Sequence, residues 1–172
     1  MQTKSPLAEK MLTLAFYKGS GRFDDRVIRW VTRSAFSHVE LLEHPPAWLG
    51  DAAWVGQSWS SSGRDGGVRG KEIVFERDRW VFIAVPWAPA DALDTLRSEL
   101  GKPYDFSGLV GSQLLNLRRH RAGRWFCSEL CAHALGLDAP QEFSPGGLYR
   151  RASEMNRAYQ LGMAHAGEPP EE

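Results

Sequence analysis

Apolar residues along this chain occur in short runs and in helix-like spacings that alternate through most of its length. The apolar run over residues 11–17 is followed by a Gly-Ser-Gly triplet, which predicts a first strand. Similar runs, bounded by proline, glycine and serine clusters, predict further strands at residues 37–42, 51–60, 72–76 and 80–85. The serine- and glycine-rich stretch over residues 60–67 predicts a loop between two of them.

Helical spacing accounts for much of the remaining chain. Val27, Ile28 and Val31 fall on one side of a helix that Asp24 or Asp25 can cap. The same kind of spacing predicts helices over residues 91–100, over part of 106–117, from residue 127 onward, and over 148–161. Strands and helices together predict the α+β fold class.

The chain is most simply one domain. Its 172 residues suffice to bury a substantial core, and no internal repeat or linker divides them. We expect a single domain over residues 1–161. The short polar segment over residues 162–172 predicts a disordered tail.

Charge and cysteine content narrow the possible functions. Lys and Arg number 21, as do Asp and Glu, so no net field favours nucleic acid or a membrane surface. No segment resembles a secretory signal or a membrane span, so stable membrane insertion is not expected. Cys127 and Cys131 lie four apart on one predicted helix, which prevents a disulfide. We therefore expect a cytoplasmic protein, which acts on the cell wall only if it is released or exported by another route.

Cys127 is the first candidate for chemistry. It stands where a loop enters a predicted helix, and backbone N–H groups at a helix start stabilise a thiolate and a developing oxyanion. The alternative is that Cys127 is a small buried core residue, as most free cysteines are. Cys131, one turn further along, is better explained by core packing.

His38 and Glu40 form the second candidate. Residues two apart in a strand face the same side, so these side chains project together while Val39 and Leu41 face the other way. A carboxylate beside an imidazole can orient it as a general base. A solvent-facing pair on an amphipathic strand is the alternative. The orienting group can also come from the neighbouring strand, where Gln57 and Ser58 are the polar residues.

The sequence indicates no metal and no cofactor. Cys127, Cys131 and His133 lack the paired spacing of a zinc site. The sequence contains no Walker loop, no GxGxxG and no GxSxG, and Ser144-Pro145-Gly146-Gly147 predicts a turn. The basic cluster over residues 118–124 is expected to be a solvated face, with contact to an anionic substrate as the alternative.

Three motifs, taken in their order, carry a resemblance to a known family. Ser37-His38-Val39-Glu40-Leu41 comes first, Gly101-Lys102-Pro103-Tyr104-Asp105 second and Trp125-Phe126-Cys127-Ser128-Glu129-Leu130 third. With this order the chain resembles the circularly permuted branch of the NlpC-type cysteine peptidase superfamily, the YiiX-like proteins, which are related to lecithin retinol acyltransferase. In the unpermuted families the cysteine precedes the histidine strand. The resemblance covers roughly residues 11–150, including a Ser144–Leu148 turn after the cysteine helix.

The resemblance implies a papain-like fold, with an antiparallel sheet packed against the helix that carries the nucleophile. It implies that Cys127 is the nucleophile, that His38 is the general base and that Tyr104 helps to form the oxyanion or substrate site. Many relatives carry the third polar group on the strand after the histidine, where this chain has Gln57 or Ser58. Glu40 is our choice for that third residue.

The activity implied by the resemblance is cysteine-dependent cleavage of an amide, peptide or ester bond through a thioester intermediate. The expected partner is a peptide or other acyl-containing substrate, with peptidoglycan among the candidates. An acyltransferase acting on lipid is one alternative, for which the tryptophan-rich stretch over residues 54–59 is the available membrane anchor. A non-catalytic binding domain that keeps the papain-like scaffold is the other.

Overall fold

The computed structural model describes residues 11–19, 23–50, 53–105 and 124–166. These segments form a mixed α+β fold built on a curled antiparallel sheet. The strands in chain order are β1 Thr13–Tyr17, β2 His38–Leu42, β3 Ala47–Trp48, β4 Ala53–Ser62, β5 Gly67–Glu76 and β6 Trp80–Ala84. They follow the spatial order β3-β4-β2-β1-β6, and β5 pairs with β4 as a long hairpin.

The helices of the described segments are α1 Phe23–Thr32, α2 Ala92–Ser98, α3 Cys127–Ala134 and α4 Pro145–Ala166. Short 3-10 turns cover Arg77–Arg79 and Pro140–Glu142. Asp91 is the N-cap residue of α2. Gly101 follows α2 with a φ of 79°, in the left-handed region that glycine adopts at little cost. Asp24 and Asp25 lie inside α1, rather than at its cap.

The predicted strands are confirmed, but the hairpin is longer than its composition suggests. Residues 60–67 were expected to form a loop, whereas β4 runs through Ser62 and β5 begins at Gly67. Ser60 and Ser61 are fully buried, and each hydroxyl donates to a backbone carbonyl at 2.7 Å. The carbonyls belong to Val39 and Trp125, so long-range partners make a serine-rich segment fit inside the sheet.

The last helix also differs from its prediction at both ends. It begins at Pro145 rather than 148, because proline suits the first turn of a helix. It continues to Ala166, five residues beyond the predicted end at 161. Residues 167–172, the partial helix expected over 106–117 and most of the basic cluster over 118–124 lie outside the described residues.

The sheet separates two apolar clusters. The larger contains side chains of β1 and β2 together with helix residues; its members include Phe16, Val39, Leu41, Cys127, Leu130 and Leu148. The smaller contains Ala15, Leu42 and Phe75. Glu40 pairs with Ala15 across β1 and β2, and therefore shares its face, as the alternation of side chains in β2 predicts.

Candidate active site

Cys127 is the first residue of α3. The N–H of Phe126 donates to the Glu129 carboxylate at 3.3 Å, which closes the first turn of the helix. Backbone N–H groups of a first helical turn have no partner within the helix, so they favour negative charge near Cys127. Cys127 and Cys131 are both free thiols and both are fully buried.

Backbone hydrogen bonds hold the loop before Cys127 against the sheet and the Gly-Lys-Pro-Tyr turn. The Trp125 N–H donates to the Pro103 carbonyl at 3.1 Å, and the Asp105 N–H donates to the Trp125 carbonyl at 3.0 Å. The hydroxyl of Ser61 on β4 donates to the same Trp125 carbonyl. Two of the three motifs that are distant in sequence therefore lie side by side.

His38 lies in the first of the three motifs. Its Nε2 donates to Glu40 Oε1 at 2.8 Å, the contact expected for residues two apart in a strand. Cys127 acts on the same imidazole electrostatically, which indicates that the thiol lies near His38. His38 keeps 21% of its side-chain surface exposed. The structure thus brings His38 and Glu40 into contact, with Cys127 near enough to act on the imidazole electrostatically.

Opposing effects set the pKa of His38. Burial disfavours the imidazolium and by itself would lower the pKa below the ordinary value of 6.5. The charge and hydrogen bond of Cys127, followed by those of Glu40, outweigh burial and raise the pKa of His38 to about 10. A pKa raised this far favours the imidazolium form of His38 at neutral pH.

Glu40 is held by an arginine on β5. Its side chain is 1% exposed, and Arg69 donates to Oε2 at 2.6 Å and to Oε1 at 2.5 Å. Burial raises the pKa of Glu40, but the hydrogen bonds from Arg69 and His38 and their charges lower it to about 2. Glu40 is therefore a carboxylate at neutral pH, and its Oε1 accepts hydrogen bonds from both neighbours.

The other two candidates for the third residue are placed differently. The Ser58 hydroxyl donates to the Lys71 carbonyl at 3.2 Å, within the β4–β5 hairpin. Gln57 pairs with Glu72 in the same hairpin, and its carbonyl accepts the N–H of Glu43. Glu40 is thus the candidate that the structure brings to His38.

Tyr104 and His38 line the same cleft, which has a volume of about 630 Å³. The Tyr104 ring lies 5.6 Å from the ring of Phe126, the residue just before Cys127. Trp80 forms another part of the wall, with its ring 6.5 Å from the His38 imidazole. The cleft therefore gives access to the imidazole, whereas Cys127 is fully buried and is not among the residues that line it.

Arg69 is the site residue that the sequence analysis missed. The predicted strand began at residue 72, which left Arg69 outside it. Continuing the Leu41–Trp59 register by one residue places Glu40 opposite Ser60, which in turn pairs with Arg69. The small side chain of Ser60 lets Arg69 reach across β4. The alternation of Val68, Arg69, Gly70 and Lys71 is the one sequence signal that favours a longer strand.

The other candidate residues from the sequence do not come together in a second site within the described part of the chain. Among the described residues, no group of three or more His, Cys, Asp and Glu side chains could hold a metal ion. His133 is exposed and stacks on Trp125, with ring centroids 4.9 Å apart. None of the helices in the described segments has the length and apolarity needed to cross a membrane.

The free energy of unfolding should depend on acidic pH in a way that reveals the contribution of Glu40. Its pKa is about 2 in the folded protein and 4.5 ordinarily, so its contribution is present above pH 4.5 and is lost as pH falls through about 2. We expect the wild type to lose about 3 kcal/mol more than Glu40→Gln across this interval. Urea unfolding of both proteins between pH 2 and 6 measures the difference. If the free energy of unfolding falls equally with pH in both proteins, the lowered pKa of Glu40 is contradicted.

Comparisons with protein families and with curated proteins identify no relative. No protein-family model matches the chain, and no curated protein matches it. The resemblance to permuted NlpC-type proteins therefore stays a prediction, carried by the order of its three motifs.

Proposed function

We propose that this protein is a cysteine hydrolase with a permuted papain-like fold, which cleaves an amide, peptide or ester bond. The observation that carries the proposal is the hydrogen bond between His38 and Glu40, on an imidazole that Cys127 also affects electrostatically. In such an arrangement the imidazole can take a proton from the thiol and later return it to a leaving group. The antiparallel sheet and the helix that starts at Cys127 support the fold.

In the proposed acylation step, His38 takes the proton of the Cys127 thiol, and the sulfur attacks the substrate carbonyl carbon. The C=O bond becomes a C–O⁻ bond in the tetrahedral intermediate, which N–H groups at the start of α3 stabilise. Collapse of the intermediate breaks the bond to the leaving nitrogen or oxygen. That atom takes the proton from His38, and a thioester remains on Cys127.

The thioester is resolved by a second attack. Water loses a proton to His38 and attacks the thioester carbonyl, and the C–S bond breaks to release a carboxylic acid and the thiol. Glu40 accepts the Nε2–H throughout and so keeps the imidazole in one tautomer. An amine or alcohol in place of water turns the same chemistry into an acyl transfer.

The cleft favours an extended substrate with polar and apolar parts. Aromatic walls from Tyr17, Trp80 and Tyr104 flank charged groups, including Arg64 and Glu72. A peptide offers both kinds of group, and cell-wall peptides are one candidate class. Tyr104, on the wall near the Cys127 loop, is the proposed contact to the bound carbonyl or its neighbours.

Alkylation by iodoacetamide tests the nucleophile, with Cys131 as a control inside the same chain. We expect Cys127 to react at pH 6 at least about tenfold faster than glutathione, because His38 removes its proton. Cys131 should stay unmodified, because burial raises its pKa and the charge of Cys127 adds to the rise. Mass spectrometry of digested protein quantifies both sites.

A different class of function makes the opposite prediction. A non-catalytic binding domain would keep Cys127 as a core residue, in line with its full burial. Folded protein whose Cys127 alkylates no faster than glutathione would support that class and contradict the hydrolase. Circular dichroism on the same samples ensures that only folded protein is compared.

A further inference from the structure

Arg69 binds the carboxylate of Glu40, which in turn accepts a hydrogen bond from the His38 imidazole. Its Nη1 donates to Glu40 Oε2 at 2.6 Å and its Nη2 donates to Oε1 at 2.5 Å. Two parallel bonds from a guanidinium determine both the position and the plane of a carboxylate, which a single cation cannot do. Oε1 is also the atom that accepts the hydrogen bond of His38. The direction of the imidazole therefore depends on Arg69.

Arg69 is itself held from a second side. Its Nε donates to Asp65 Oδ2 at 2.9 Å, and Asp65 also accepts two bonds from Lys71 Nζ, at 2.7 and 2.9 Å. Only 15% of the Arg69 side chain is exposed. A cation so enclosed by two carboxylates has little freedom to turn. The contacts therefore form a continuous chain from Asp65 through Arg69 and Glu40 to His38.

We infer that Arg69 is a positioning residue for the Cys127–His38 pair and acts by clamping Glu40 as a carboxylate with Oε1 toward the imidazole. This inference rests on the proposed function. Arg69 does not touch the reacting atoms, and its effect reaches the thiol through Glu40 and His38.

The charged and titratable groups that face Glu40 make the inference specific. They are His38 on β2, Arg69 on β5 and Cys131 on α3. Burial raises the pKa of Glu40, and the hydrogen bonds of Arg69 oppose it before those of His38. A weaker partner at position 69 would let Glu40 take up a proton at higher pH. A protonated Glu40 no longer supports an imidazolium.

The pH profile of Cys127 alkylation distinguishes this role from simple packing. Iodoacetamide rates between pH 4 and 9 are compared for the wild type and Arg69→Lys, which keeps a cation but loses the fork. We expect Arg69→Lys to react about tenfold more slowly at pH 5 and at nearly the wild-type rate at pH 8. The acid limb of the alkylation rate thus moves up by about one pH unit, because a Glu40 carboxylate that is no longer held by the fork stabilises the imidazolium less even where it stays ionised.

Two further variants decide whether the shift passes through Glu40. In a Glu40→Gln background there is no carboxylate for Arg69 to position, so adding Arg69→Lys should move the acid limb no further. Lys71→Met removes the other cation on Asp65 without touching Glu40, and should keep the wild-type limb. An Arg69→Lys profile that superimposes on the wild type, or an equal shift in Lys71→Met, would overturn the inference.

Asp65→Asn keeps the experiment decisive if Arg69→Lys does not fold. It weakens the second anchor of Arg69 but leaves the fork on Glu40, so a smaller upward shift is expected. An unshifted Asp65→Asn profile would then count against the clamp. An inert Cys127 in the wild type would instead overturn the proposed function, whereas a reactive Cys127 with unshifted variants overturns only the role of Arg69.

Discussion

Replacing Cys127 with serine should lower the hydrolysis of p-nitrophenyl acetate by about 10⁴-fold or more. The expected loss is large because a serine hydroxyl holds its proton far more tightly than a thiol, and the proposed mechanism requires His38 to take that proton. The activated ester transfers its acyl group without specific recognition, so the assay needs no knowledge of the natural substrate. Release of p-nitrophenolate at pH 7 gives kcat/KM for both proteins.

Cys131→Ala is the matched control for this loss. It removes the other buried thiol, four residues along the same helix, and should keep kcat/KM within about threefold of the wild type, because Cys131 serves packing alone. His38→Gln should lower kcat/KM by about 10²- to 10⁴-fold through loss of the general base. If Cys127→Ser hydrolyses the ester at the wild-type rate, another group is responsible for the esterase activity.

Glu40→Leu should destabilise the protein by about 3–5 kcal/mol. The substitution leaves the Arg69 guanidinium enclosed, with Asp65 as its remaining carboxylate, and removes the partner of His38. A charge left buried without its partner costs more than the original pair contributes. Urea unfolding at pH 6 measures the change in the free energy of unfolding.

Two comparisons identify the cause of that loss. The double variant Glu40→Leu with Arg69→Met removes both charges, and should recover much of the stability because apolar side chains of similar volume replace them. Asp94→Ala breaks the exposed Asp94–Arg97 pair, and should change stability by about 0.5 kcal/mol or less. A double variant no more stable than Glu40→Leu alone would show that shape, and not unpaired charge, dominates at this position.

The contact between His38 and Glu40 was predictable because it is local. Side chains in a strand alternate with a period of two, so the sequence of β2 alone predicts that these residues share a face. The same period predicted most of the sheet. Its failure in the β4–β5 hairpin is instructive, since Ser60 and Ser61 take partners from β2 and from the Cys127 loop. The composition of residues 60–67 alone gives no indication of those partners.

Arg69 is a site residue that the sequence alone could not predict. It lies 29 residues from Glu40 and reaches it across a third strand. Only the register of β5 on β4 and of β4 on β2 decides which β5 residue faces that carboxylate. A shift of one residue would place Arg69 on the opposite face of the sheet. Register is set by long-range packing, so no inspection of residues 67–76 could assign this role.

The sequence by itself determined the α+β class, most strands, the position of Cys127 at a helix start and the shared face of His38 and Glu40. These features depend on periodicity and on local helix signals, which neighbouring residues encode. Only the tertiary structure decided that Cys127 acts on His38, that Arg69 on β5 pairs with Glu40, and that Ser58 bonds within its own hairpin. Those contacts join residues far apart in the chain, and strand register and side-chain burial select them.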